Sequence, residues 1–170
     1  GDQRSKSGIT LFMVDIKSEG ITLQNYPTID EYRASEVVIE NLKVSKDNIL
    51  GSIDGSYEAI EEQIDLSTIA VCSEAVGILQ VLKDSTNDYC KNRKQFGQPI
   101  GANQVIKHRL VDMMIEYEQA KSILYMAVTA DLSNPIERRK AASAAKARIG
   151  KAIKFVGENA IHLHGGMGVV

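Results

Sequence analysis

From about Ser56 to Asn92 the sequence holds no proline and one glycine, Gly77, with apolar residues at Ile60, Ile64, Val71, Ala75, Ile78, Leu82 and Tyr89. That recurrence is the period of an α-helix. At 1.5 Å per residue the helix would be roughly 55 Å long. A helix of that length with one apolar stripe needs partner helices along most of its extent. The sequence supplies two. One runs from about Asn103, a candidate N-cap, to Asp131, with Val105, Leu110, Met113, Tyr117, Leu124 and Ala127 on a stripe. Ser133-Asn134-Pro135 then ends that helix and opens a third, about Ile136 to Leu163, with Asn134 as cap and Pro135 in the first turn. Ala141, Ala142, Ala144, Ala145, Ala147 and Ala152 fill this last helix with small side chains that permit close approach, which makes it the central one.

Ahead of the helices the texture differs. Ile9 to Val14, Ile21 to Leu23 and Glu36 to Ile39 read as short strands, with Asn41 to Val44 extending the last or following it. They are too few for an independent covered sheet, so further strands are expected from elsewhere. The boundary is placed at 51/52. The fold class is mainly α: an up-down bundle with three long helices visible and a fourth truncated, preceded by a partial antiparallel β domain. The first residue is not Met, and the sequence reads as the interior of a longer chain truncated at both ends.

The 170 residues carry a net charge of −2, which gives no electrostatic footprint for nucleic acid or an anionic membrane. No apolar run approaches the ~20 residues that span a bilayer. The basic run Arg138-Arg139-Lys140 reads as a solvated face. Cys72 and Cys90 match no C-x-x-C pattern and are expected to be buried free thiols in a reducing compartment.

Two segments stand out chemically. Arg93-Lys94-Gln95-Phe96-Gly97-Gln98-Pro99-Ile100 closes the first long helix. Cations there complement the helix dipole, but an Arg fork beside a hydrogen-bonding side chain and an aromatic also suits a diphosphate attached to a flat ring. His162-Leu163-His164-Gly165-Gly166-Met167-Gly168 ends the third helix. Consecutive glycines there form a C-cap and let a ligand approach bare backbone. The run is not a G-x-G-x-x-G fingerprint and follows a helix, so a Rossmann reading fails. Two histidines at that spacing make a weak zinc set, and no metal is expected. His108, beside Arg109, reads as a packed or interfacial residue.

Taken in order, these segments resemble the acyl-CoA dehydrogenase family over nearly the whole chain. Gly8 to Asp15, Gly20-Ile21-Thr22, Arg33 to Val37, Asn48 to Gly51 and Ala75-Val76-Gly77 add to the two specific segments. Pro99-Ile100-Gly101, His108-Arg109, Asp112-Met113 and Ser143 to Lys146 are similar to the branch that includes the small subunit of pimeloyl-CoA dehydrogenase. The resemblance makes 1–51 the end of a middle β domain and 52–170 a C-terminal helical domain. It implies FAD, an acyl-CoA substrate desaturated between its α and β carbons, and reoxidation by electron-transferring flavoprotein. It also implies a homodimer or tetramer sharing FAD across the interface, in bacterial cytoplasm or a mitochondrial matrix.

By that resemblance Arg93 contacts the FAD diphosphate, with Gln95 and Phe96 beside it and Gln104 near the flavin. His162, Leu163, His164, Gly165 and Gly166 form a loop touching the cofactor, although many members carry Gln where this chain has His162. Asp65 matches an Asp near the CoA portion, but the Arg usual three positions later is Thr68 here. One branch places its catalytic Glu at the position of Ser67; in the main branch the base lies past Val170, so no catalytic residue is assigned. Glu74, two turns after Ser67, is more simply an ion-pair partner. The alternatives are a non-catalytic subunit of a hetero-oligomer and a helical interaction module.

Overall fold

The computed structural model describes residues 5–169. The chain divides into two compact units, with the division at Glu61/Glu62, inside the first long helix.

The first unit is built from short antiparallel pairs. Strand β1 (Leu11–Phe12) pairs with β4 (Ile49–Leu50), and β2 (Ile21–Pro27) pairs with β3 (Arg33–Ile39) in the register Ile21↔Ile39 to Pro27↔Arg33. Of the expected run Ile9 to Val14 only Leu11–Phe12 is paired, and the extension over Asn41 to Val44 is not a strand. Asn41 has φ +54°, in the left-handed region, and that turns the chain out of the ladder. A Cβ at Gly20 would lie 2.4 Å from the Glu40 carbonyl, so this close approach requires glycine. The Ser56 hydroxyl, buried, accepts from Leu11 N (3.1 Å), and Ser56 N donates to Ile9 O (3.0 Å). Val37, Val38 and Ile39 all stay exposed: among the described residues, this unit covers none of its large apolar side chains fully.

The second unit holds the hydrophobic core. Helix α1 (Tyr57–Asn92), α2 (Gln104–Val128) and α3 (Pro135–His164) run up, down and up, as expected. Asn134 caps α3, its side chain accepting from Ile136 N and Glu137 N, with Pro135 in the first turn. The closest helix pair is α2 with α3. Ala141, Ala142, Ala145 and Ala152 are buried on α3, against Met113, Tyr117, Ala120, Leu124 and Ala127 of α2 in one core cluster. Asn103 stands at the start of α2, but its side chain donates to Ile100 O (3.0 Å) and leaves the α2 amides without a side-chain cap.

The stripe expected on α1 is off by about one residue. Buried positions are Asp65, Ile69, Cys72, Val76, Leu79, Thr86 and Cys90, whereas Ile64, Val71 and Ile78 are exposed. The physical reason is that α1 is apolar on two faces, and only one meets α2 and α3. The same fact corrects the membrane expectation. By length and composition α1 is apolar enough to cross a bilayer, although Ser67, Thr68, Ser73, Glu74 and Gln80 break its apolar runs. Its buried face belongs to the core cluster, the ordinary fate of such a helix in a folded bundle.

Candidate functional site

The distal end of the bundle is built where α1 stops. Arg93 N donates to Tyr89 O (2.8 Å), closing the last turn, and Arg93 O accepts from Ile100 N (2.9 Å). Between them lies a tight hairpin: β5 (Lys94–Gln95) pairs with β6 (Gln98–Pro99), Lys94 opposite Pro99 and Gln95 opposite Gln98. The two turn residues, Phe96 and Gly97, have φ +54° and +82°. Positive φ at both central positions matches the right-handed twist of the flanking strands. Glycine adopts it freely; phenylalanine is held there at a cost. Phe96 recovers nothing by packing, since its side chain is 100% exposed. A Cβ at Gly101 would lie 2.9 Å from Cys90 O, so glycine lets the hairpin's exit fold back onto α1. Gln104 begins α2 and is exposed.

The other expected segment ends α3. Gly165, at φ +62° and ψ −137°, lies in a region open almost only to glycine, and its N–H donates to His162 O and Ile161 O to close the last turn. A Cβ on Gly165 or Gly166 would meet nothing within 4 Å, so internal packing gives no reason for Gly166 to be glycine. A bare, exposed backbone facing outward is what close approach by a ligand needs. His162 is exposed, His164 half-buried, and Leu163 buried in the core, so Leu163 can face a ligand only through its backbone.

These two segments come together within one chain. The His164 ring stacks on Tyr89, centroids 4.4 Å apart and planes 28° apart, and Tyr89 Oη donates to His164 O (3.4 Å). Tyr89 is one helical turn before Arg93. Among the described residues the Arg93 guanidinium has no hydrogen bond or ion pair. Arg93, Gln95, Phe96, Gln104, His162, Gly165 and Gly166 are all exposed at the distal end of the bundle. A free cationic fork, an exposed aromatic and a glycine backbone with no side chain in the way fit an anionic dinucleotide such as FAD.

Asp65 is placed elsewhere, near the opposite end of α1. Its carboxylate Oδ2 lies 3.5 Å from Arg138 Nε and 3.9 Å from Arg139 Nε. Arg138 is only 5% exposed; its Nη1 donates to Leu132 O (2.9 Å) and lies 3.9 Å from Glu62. The expectation of a solvated basic face is therefore wrong for Arg138. A periodicity count over α3 would have found it, since Arg138 is one turn before buried Ala142 and Ala141. Where the resemblance leads one to expect an arginine, Thr68 Oγ1 donates back to Ile64 O (2.7 Å) and offers no cation. Ser67 and Glu74 are exposed. Cys72 and Cys90 are buried and unbridged, and burial pushes both thiols above their ordinary range.

A family profile described as "Acyl-CoA dehydrogenase, C-terminal domain" matches residues 55–170. The chain is 31% identical over 166 residues to the caffeyl-CoA reductase-Etf complex subunit CarC of Acetobacterium woodii, covering 96% of this chain and 44% of the relative. It is 30% identical over 167 residues to the human mitochondrial short-chain specific acyl-CoA dehydrogenase, covering 96% and 40%. It superposes on the prolyl acyl carrier protein oxidase AnaB with a TM-score of 0.88 at 27% identity, over 97% of this chain and 44% of that one. The chain thus spans less than half the length of each of these relatives.

Proposed function

The chain belongs to the acyl-CoA dehydrogenase family, and from that premise we propose that it forms the dinucleotide-gripping part of an FAD-dependent enzyme acting on the α,β bond of an acyl-CoA thioester. The observation that carries the proposal is the unpaired Arg93 guanidinium held at the same end of the bundle as the bare Gly165-Gly166 backbone. Arg93 would grip the diphosphate with a two-pronged, charge-assisted contact, and the exposed Gly165-Gly166 backbone would let the cofactor approach closely, with no side chain in the way. Phe96, fixed outward by its turn, would lie against a flat ring, with Gln95, Gln104 and His162 as polar neighbours. The chemistry FAD would supply is acceptance of the substrate's β-hydride. Removal of the α-proton requires a base that none of these residues provides.

The grip would be offered to a second copy's cofactor in a homodimer or tetramer, since the exposed hairpin and glycine turn project outward from their own bundle. Electron-transferring flavoprotein as redox partner is supported by the Etf complex named for the bacterial relative. A reducing compartment, bacterial cytoplasm or mitochondrial matrix, is supported by the two buried free thiols. One relative is named a reductase and another a dehydrogenase, so the direction of turnover is part of the test.

The test is flavin content of the full-length protein. Wild type is expected to purify yellow and Arg93→Ala largely colourless at unchanged helical content; equal flavin in both would overturn the proposal. A second reading, a non-catalytic subunit, is favoured by Thr68, whose hydroxyl is spent on its own helix where a cation would face substrate. Under it the full-length protein binds FAD, yet neither acyl-CoA nor enoyl-CoA changes the flavin spectrum.

A further inference from the structure

Two contacts that the FAD reading leaves unused join its two halves. Tyr89 accepts the Arg93 N–H through its carbonyl (2.8 Å) and presents its ring to His164, the residue immediately before Gly165. His164 is held from the other side: its Nδ1 lies 2.8 Å from Ala160 O. A carbonyl only accepts, so Nδ1 carries the proton, and the ring caps the last turn of α3 as it stacks. Tyr89 Oη reaches His164 O at 3.4 Å, so tyrosine touches both the ring and the backbone of the residue that leads into the glycine cap. Both side chains are half-buried, and neither projects outward as Phe96 does.

Resting on the proposed FAD grip, we infer that Tyr89 and His164 are a pair of positioning residues which hold the Gly165-Gly166 turn against the base of the Arg93 hairpin. His164 thereby acts through Tyr89 and its own helix cap, not by touching cofactor. The clamp exists before any ligand arrives, so it lowers the ordering cost of binding. An aromatic stack of this kind sustains roughly a two- to tenfold difference in affinity.

The experiment uses the full-length protein, stripped of flavin, with four variants: Tyr89→Ala, Tyr89→Phe, His164→Ala and the Tyr89→Ala/His164→Ala double. Amide hydrogen exchange over 162–168 is measured without ligand, and FAD affinity by fluorescence titration. Tyr89→Ala is expected to speed exchange across the turn and weaken FAD roughly two- to tenfold. Tyr89→Phe keeps the ring and is expected to restore most of both. The double variant should lose no more than the worse single one, because the pair acts as a unit. Unchanged exchange in Tyr89→Ala, or losses that simply add, would overturn the clamp. Failure of the FAD reading looks different: Arg93→Ala would then keep full flavin affinity, whatever the exchange at Gly165 does.

Discussion

Two arginines at opposite ends of one bundle show how the same side chain serves different ends. Arg138 is 5% exposed, pairs with Asp65 at 3.5 Å, donates to Leu132 O and lies near Glu62. Arg93 sits beyond the last turn of α1, exposed, with no partner among the described residues. Around Arg138 the chain supplies its own partners: Asp65 faces it as an ion pair with no hydrogen bond between Nε and Oδ2, Asn134 caps α3, and Asp131 accepts from Ser133. Around Arg93 the chain holds groups in reserve: a phenylalanine strained outward and a glycine that no internal contact requires. A charge that the fold pairs internally is costly to strand; a charge that the fold positions and leaves free is available to bind.

The largest test of that contrast is Arg138→Ala. It strands the Asp65 carboxylate in the interior with only Arg139 near, and is expected to cost about 3 kcal/mol in urea unfolding. Arg93→Ala should change stability by less than about 0.5 kcal/mol. Equal costs for the two would erase the distinction. Replacing both partners, as Asp65→Leu with Arg138→Met, is expected to return most of the stability, because an apolar pair needs no compensation.

Next in size is Asn134→Ala, which removes the acceptor for Ile136 N and Glu137 N and is expected to cost about 1 kcal/mol in the same assay. A thermal melt indistinguishable from wild type would place α3's start under other control.

The pH dependence is smaller. Burial raises the Cys72 and Cys90 thiols, so the folded state favours their neutral form. Their contribution is fully present below the unfolded thiol pKa of about 8.5 and is lost as pH rises through the folded values. Unfolding midpoints should fall above about pH 8.5, and both Cys→Ala variants should flatten that limb. Asp131 has the opposite sign. Hydrogen bonds from the Ser133 side chain and backbone hold its carboxyl below the usual range, so its contribution is present at neutral pH and is lost on acidification. It is fully exposed, and Ser133→Ala is expected to shift only the acid limb of an unfolding curve, slightly.

The helices are legible in the sequence because their punctuation is local: Asn134-Pro135 starts α3, Gly165 ends it, and no proline interrupts α1. Which face of α1 is buried is not legible. Ile64, Val71 and Ile78 repeat as regularly as Ile69, Cys72, Val76 and Leu79, and only packing against α2 and α3 decides between them. The β-hairpin at Phe96 escapes a sequence reading because its two-residue turn lacks the usual Asn-Gly or Asp-Gly signal. Arg93 and Gly165-Gly166 stand out in the sequence by residue type and spacing; that the fork is unpaired and the backbone exposed shows only in the structure. Tyr89 shows in the sequence only as part of an apolar stripe, because its contact with His164 joins positions 75 residues apart.

The most direct test of the contrast between the two ends follows amide hydrogen exchange along the full-length, flavin-free protein before and after FAD is added. Protection is expected to appear at 93–104 and 162–168, with 62–65 and 131–140 unchanged. Protection confined to the Asp65–Arg138 end, or none at the Arg93 hairpin, would contradict the account.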